Sequence, residues 1–213
     1  MVLLALDTAT PAVTVAVADG ADVLAERTSV DPRRHGELLA PAVAEVLRVA
    51  GITVGDLTRI AVGVGPGPFT GLRVGLVTAR TLGAALALPV VGVCTLDVLA
   101  LQAVDEGLAG PFRVVTDALR REVHWAEYVT AGGLRRVQGP HVDKPATLGW
   151  SGPAVGAGAT TYAADFPGAR DPQHPAAGAL CHWVARGLPL LDPDPLYLRR
   201  PDAVEPGARK PVR

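Results

Sequence analysis

Residues 4–18 read "LALDTATPAVTVAVA" and residues 114–128 read "VVTDALRREVHWAEY". Each is a hydrophobic run closed by an aspartate, Asp7 or Asp117, and followed six residues later by a valine, Val13 or Val123, that opens an alternating segment. Alternation with period two marks a half-buried strand, so each stretch reads as a β-hairpin with an aspartate at its tip. The same hairpin in both halves predicts a duplicated α/β fold of two lobes; chance likeness of two short hairpins is the competing explanation.

Working outward from the first hairpin, residues 2–6 and 12–18 are strands, and 22–29 a third after the turn at Asp19-Gly20, which makes an antiparallel meander. From Arg34 to Ala50 the apolar positions Leu38, Leu39, Ala42, Val43, Val46, Leu47 and Ala50 recur at helical spacing, with Gly51 as the stop and Pro41 early in the helix or at a kink. A strand at 59–64, a helix at 69–87 and a strand at 89–93 follow, so parallel strands are added to the meander. The division expected is a first lobe over 1–102 with two or three helices and a smaller second lobe over 103–191, including a helix at 174–187. An extended or disordered tail follows over 192–213, with five prolines and a basic end.

With 49% hydrophobic residues and a mean hydropathy of +0.28 in 213 residues, the chain builds a sizeable core. A formal net charge of -1 gives no long-range attraction to nucleic acid or anionic membrane, so any RNA contact must be local or supplied by a partner. Arg73 and Arg80 interrupt the longest apolar candidate, 71–88, against a membrane span of about 18 residues or more. The start, "MVLLALDTAT", lacks the basic region of a secretory signal, and the expected location is the cytosol. Cys94 and Cys181 have no CxxC spacing and read as reduced packing residues.

The glycine-proline loop at 63–71, "GVGPGPFTG", precedes a helix as phosphate loops do, yet lacks the Lys-Ser/Thr of a Walker motif. Its Gly65, Gly67 and Gly71 also miss the dinucleotide spacing, which needs glycine at 70. Two readings stay open: backbone amides binding an anion, or a tight strand-to-helix turn. Along the following helix Gly71, Gly75, Ala79 and Gly83 fall at successive i+4 positions, a small-residue stripe that packs either on the chain's own sheet or on another subunit. Ser29 and Ser151 offer no nucleophile elbow, and the five histidines contain no HxxxH or HExxH pair. Asp7 and Asp117 remain the symmetric acidic pair, either facing a Mg-nucleotide across a cleft or shaping turns.

The segments "LLALDTATPAVTVAV", "RRHGELLAPAV", "GVGPGPFTGLRVGLVTARTLG", "VVGVCTLDVLA", "DALRREVHWAEY" and "PLYLRRPDAV", in that order, resemble the bacterial TsaB (YeaZ) family. The glycine-proline block is shared with its larger paralogue TsaD; the "EVHWAEY" hairpin and "YLRRPDA" tail point to TsaB. The resemblance implies the two-lobed actin/Hsp70/sugar-kinase fold and a part in making N6-threonylcarbamoyladenosine at position 37 of tRNAs reading codons that start with A. In TsaD a His-x-x-x-His pair after the corresponding strand binds the metal; here Thr95 and Leu99 stand in those places and no metal or other cofactor is expected. Thr10 replaces a glycine of nucleotide-hydrolysing relatives, so Asp7, Thr10 and Asp117 mark at most a degenerate nucleotide cleft. The resemblance thus implies a non-catalytic scaffold that pairs with TsaD through its first two helices, using Leu38, Leu39, Ala42, Val46, Gly71, Leu72, Gly75, Leu76, Ala79 and Gly83. The same face would serve a homodimer, an ATPase of the TsaE kind would dock on the pair, and tRNA would be met only through the complex. The rivals are a small ATPase or kinase of the actin-like fold and a metallopeptidase, the latter opposed by the missing histidine pair.

Overall fold

The computed structural model describes residues 1–198. The first sheet is built on β1 (Val2–Asp7), which pairs antiparallel with β2 (Ala12–Asp19) and parallel with β4 (Arg59–Gly63). With β3 (Asp22–Val30) and β5 (Val90–Val93) its order is β3-β2-β1-β4-β5. In the second half β6 (Phe112–Asp117) pairs antiparallel with β7 (Val123–Val129) and parallel with β9 (Pro153–Val155). Adding β8 (Arg135–Asp143) and β10 (Gly168–Arg170) gives β8-β7-β6-β9-β10, the same order over again. The echo between the two hairpins thus extends to the whole sheet order and gives two α/β lobes of like topology, the arrangement expected of the two-lobed actin/Hsp70/sugar-kinase class.

The second lobe is reduced. Between β3 and β4 the first lobe places α1 (His35–Ala50), whereas β8 and β9 are joined by a short loop with one 3-10 turn; α2 (Phe69–Leu86) is answered only by α4 (Ala157–Thr161). Helix α1 runs through Pro41, which faces solvent, and ends on Gly51 in the left-handed conformation, φ 68°, with its N–H bonded back to the Arg48 carbonyl. The stretch between Thr130 and the helix expected at 174–187, which reads as turns rich in glycine and proline, holds β8, β9 and β10, the last two only three residues each, too short for a periodicity to show.

The helix after each sheet docks on the opposite lobe. Helix α3 (Thr95–Asp105), which follows β5, packs on β6, β7 and β9, while α5 (Ala177–Ala185), which follows β10, packs on β1 to β4, and the two helices touch. Residue 102, where the sequence reading divided the lobes, lies within α3. First-lobe side chains satisfy the free N–H groups that begin α5: Ala177 N donates to Thr14 Oγ1 at 2.9 Å and Gly178 N to Glu26 Oε1 at 3.1 Å. Helix α3 is held to the second sheet through buried Asp97, which accepts from the Tyr128 hydroxyl at 2.6 Å and from Arg136 at 3.1 Å. Burial pushes both thiols, Cys94 and Cys181, up to about 12, in keeping with packing residues.

Candidate functional site

A cleft of about 360 Å³ opens where the two hairpin tips meet the starts of α1 and α2. Thr8, Thr10 and Pro11 of the first hairpin, Arg33 and His35, Pro68, Thr70 and Val74, and Asp117 and Leu119 of the second hairpin line it. The two symmetric aspartates meet different fates around it.

Both close an Asx turn: Ala9 N donates to Asp7 Oδ1 at 2.7 Å and Leu119 N to Asp117 Oδ1 at 3.0 Å, so each carboxylate bonds the backbone two residues on. Asp117 lines the cleft. Asp7 has no accessible surface; its second oxygen accepts from the Thr95 hydroxyl at 2.7 Å, and Gly63 lies so close that a Cβ there would overlap the carboxylate. Burial pushes Asp7 up from 3.8 to about 6, against the lowering pull of the Ala9 N–H, the Thr95 hydroxyl and the charge of His35. The structure thus does not bring the two carboxylates together on one ligand space.

The glycine-proline loop is the tight turn. Gly67 presses on the first hairpin so closely that a Cβ would overlap the Ala9 carbonyl oxygen. The Thr8 hydroxyl donates to the Gly71 carbonyl at 2.7 Å and accepts from Gly75 N at 2.9 Å, which ties the start of α2 to the hairpin tip. Thr10 is buried; His35 Nε2–H donates to its carbonyl at 2.8 Å. Thr8 and His35 carried no spacing signal in the sequence, because each is a lone polar residue whose partner lies at least 25 residues away in the chain. Replacing Thr8 by valine removes both of these bonds from a buried site and is expected to cost about 2 kcal/mol, read as a shift in a urea unfolding midpoint.

The small-residue stripe requires a correction: it faces the chain's own sheet. Leu39, Ala42, Val46, Leu72, Leu76 and Ala79 belong to the first lobe's buried core, and Leu38 packs against it. A Cβ at Gly71 would stand 2.7 Å from the Thr8 carbonyl oxygen and one at Gly75 2.5 Å from the Thr8 hydroxyl, and one at Gly83 would overlap Val90. These ten positions let α1 and α2 settle on the lobe itself; only Leu38, half-buried, is also near the surface. The open faces are others: Ala40, Pro41 and Ala44 on α1 and Thr70, Val77, Thr81 and Ala84 on α2.

Thr95 and Leu99 lie one turn apart on α3, where a His-x-x-x-His pair would aim two imidazoles at one ion. Thr95 Oγ1 is committed to Asp7 and accepts from Gly65 N at 3.2 Å, and Leu99 is a hydrocarbon in the core. These residues do not fit a transition metal. Among the described residues no cluster of three His, Cys, Asp or Glu side chains stands within reach of one ion.

The family model described as "TsaD: tRNA N6-adenosine threonylcarbamoyltransferase" matches residues 22–181. YeaZ from Pseudomonas aeruginosa superposes with a TM-score of 0.78 at 32% identity, over 92% of this chain and 99% of that one. The chain belongs to the TsaB (YeaZ) family. Its likeness to an uncharacterized protein of Mycobacterium tuberculosis is 46% over 208 residues, 94% of this chain and 93% of that protein. The tRNA threonylcarbamoyladenosine biosynthesis protein TsaB of Escherichia coli is 38% identical over 128 residues, 60% of this chain and 55% of the relative. As a TsaB-family chain it carries the duplicated lobes with the first hairpin's acid sealed inside. No helix among the described residues is long and apolar enough to cross a membrane.

Proposed function

We propose that the protein is a non-catalytic subunit in the formation of N6-threonylcarbamoyladenosine at position 37 of tRNAs that read codons beginning with A, acting in the cytoplasm by pairing with a TsaD-like paralogue. The sealed carboxylate carries the reading. Asp7, the acid a Mg-nucleotide would need, is spent on Ala9 and Thr95 inside the core, and the paired imidazoles are replaced by Thr95 and Leu99. Chemistry then falls to the partner, and ATP hydrolysis to a TsaE-like component that docks on the pair; tRNA is met through the assembly.

The partner's contact is reassigned to the outward faces of α1 and α2. Val77 is 61% exposed, and the exposed Ala40 and Ala44 of α1 and Thr81 and Ala84 of α2 are small, so another helix pair can approach closely; the same faces suit a homodimer. Val77→Asp is expected to abolish co-purification with the TsaD-like paralogue while leaving the far-UV spectrum and melting temperature of the isolated chain unchanged. Undiminished pairing with Val77→Asp would place the interface elsewhere. Calorimetry with Mg-ATP addresses the rival reading as a small ATPase: micromolar binding and turnover by the chain alone would overturn the scaffold.

A further inference from the structure

The cleft between the hairpin tips keeps two charged groups unspent. Its buried polar walls are occupied by the fold itself: the Thr8 hydroxyl serves Gly71 and Gly75, the Thr10 hydroxyl accepts from Ala12 N at 3.2 Å, and His35 Nε2–H is given to the Thr10 carbonyl. Arg33 and Asp117 line the cleft from opposite lobes, and among the described residues no ion pair joins either to another side chain. Asp117 spends Oδ1 on Leu119 N, and what Arg33 gives to Asp31 is its backbone N–H, at 2.9 Å. The rest of the lining is mainly apolar, with Pro11, Pro32, Pro68, Val74 and Leu119. Leu119, Arg120 and Arg121 all hold left-handed backbone, at φ 60°, 56° and 62°, which residues other than glycine adopt at a cost. That run, begun by the Asx turn of Asp117, keeps Leu119 in the cleft wall with 56% of its surface exposed. An apolar side chain placed at such a cost and left uncovered by its own chain suits the apolar body of a ligand.

From this lining we propose that the cleft binds a small zwitterion with an apolar side chain, an α-amino acid or a short peptide of such residues. The Arg33 guanidinium takes the carboxylate as a planar fork of donors, Asp117 Oδ2 takes the ammonium, and the proline, valine and leucine wall takes the side chain. A volume of about 360 Å³ falls among those of small-molecule sites. The same lining disfavours the ligands of kinases. The phosphates of a nucleotide would meet the Asp117 carboxylate with a single arginine to offset it, and a sugar would need several hydrogen-bond partners from walls whose buried polar side chains are already paired. Thr70 and Val74 lie on the flank of α2 that continues to Val77, so the cleft adjoins the face given to the partner. The zwitterion site does not depend on the scaffold reading and goes beyond it.

The test is saturation-transfer NMR of the full chain, alone and paired with its TsaD-like paralogue, titrated with four probes. These are L-leucine, leucyl-leucine, isocaproate, which is leucine without the amine, and isoamylamine, which is leucine without the carboxylate. Leucine or the dipeptide is expected to bind with a Kd below about 1 mM, the tighter of the two showing which length fits, and each single-charge analogue about 10-fold or more weakly. Arg33→Gln is expected to weaken leucine binding about 10- to 100-fold and to leave isoamylamine unchanged, and Arg33→Lys to recover most of the loss. Asp117→Asn keeps the Asx turn and should do the reverse, weakening leucine by a like factor and leaving isocaproate unchanged. Melting temperatures equal to the wild type show that both variants keep the fold. The proposal is overturned if neither leucine nor the dipeptide binds in either state at up to about 10 mM. It is overturned equally by a single-charge analogue that binds as tightly as leucine, or by leucine binding that ignores Arg33→Gln or Asp117→Asn. The Val77→Asp variant keeps the two ideas apart: its loss of pairing tests the scaffold, and its leucine binding in isolation should match the wild type.

Discussion

Replacing Gly67 by alanine is expected to cost about 3 kcal/mol and to lower the melting temperature by about 6–12 °C. The added methyl meets the Ala9 carbonyl oxygen, a backbone atom of the first hairpin that cannot turn aside as a side chain can. Relief would require the glycine-proline loop to lift from the hairpin, and α2 would be drawn off with it, because Thr8 bonds both Gly71 and Gly75. Gly36→Ala, at the open start of α1 with nothing within 4 Å, is the matched control and is expected to be neutral or slightly stabilising. Differential scanning calorimetry of the two variants decides the matter. Equal melting temperatures would mean that the loop is not wedged on the hairpin, and the turn would lose its claim over a ligand loop.

The second large effect concerns Asp7. Its carboxyl is held at about 6 in the fold against 3.8 when unfolded, so the folded state binds the proton more tightly. The stability gained from that proton is complete below the unfolded value and is lost as pH rises toward the folded one. About 3 kcal/mol disappears between about pH 4 and pH 6. Asp7→Asn cannot ionise, and an amide in the same place still accepts from Ala9 N while its NH2 meets the Thr95 hydroxyl. The variant is expected to lack this fall and to be about 1–3 kcal/mol more stable than the wild type near pH 7.5. Urea unfolding of both proteins across that range measures it. Asp7→Asn should also leave threonylcarbamoyladenosine formation intact in a reconstituted system with the paralogue and a TsaE-like ATPase. Loss of modification without loss of stability would make Asp7 a working ligand and sink the scaffold.

The two correction points share a cause. In the sequence, Gly71, Gly75, Ala79 and Gly83 form a stripe that any close neighbour would explain, and spacing along one helix carries no information about which neighbour it is. The structure chooses the lobe's own first hairpin and β5, since the glycines are needed where Thr8 and Val90 press in. Likewise Asp7 and Asp117 look equivalent because their local chain is equivalent, down to the same Asx turn. Only the residues brought alongside from 63 and 95 make one of them a buried acid and leave the other in the cleft.

What the sequence determined by itself is local and repeated: the hairpins, the two long helices with the glycine stop at 51, and, through the strand-helix-strand alternation, a doubled α/β architecture. These follow from period and turn chemistry, which act over a few residues. What only the tertiary structure decided are the reciprocal docking of α3 and α5 on opposite lobes, the inward turn of the small-residue stripe, and the closure over Asp7. Each depends on contacts between segments far apart in the chain, such as Ala177 with Thr14 and Thr95 with Asp7, whose free energy is not written in the neighbourhood of either residue.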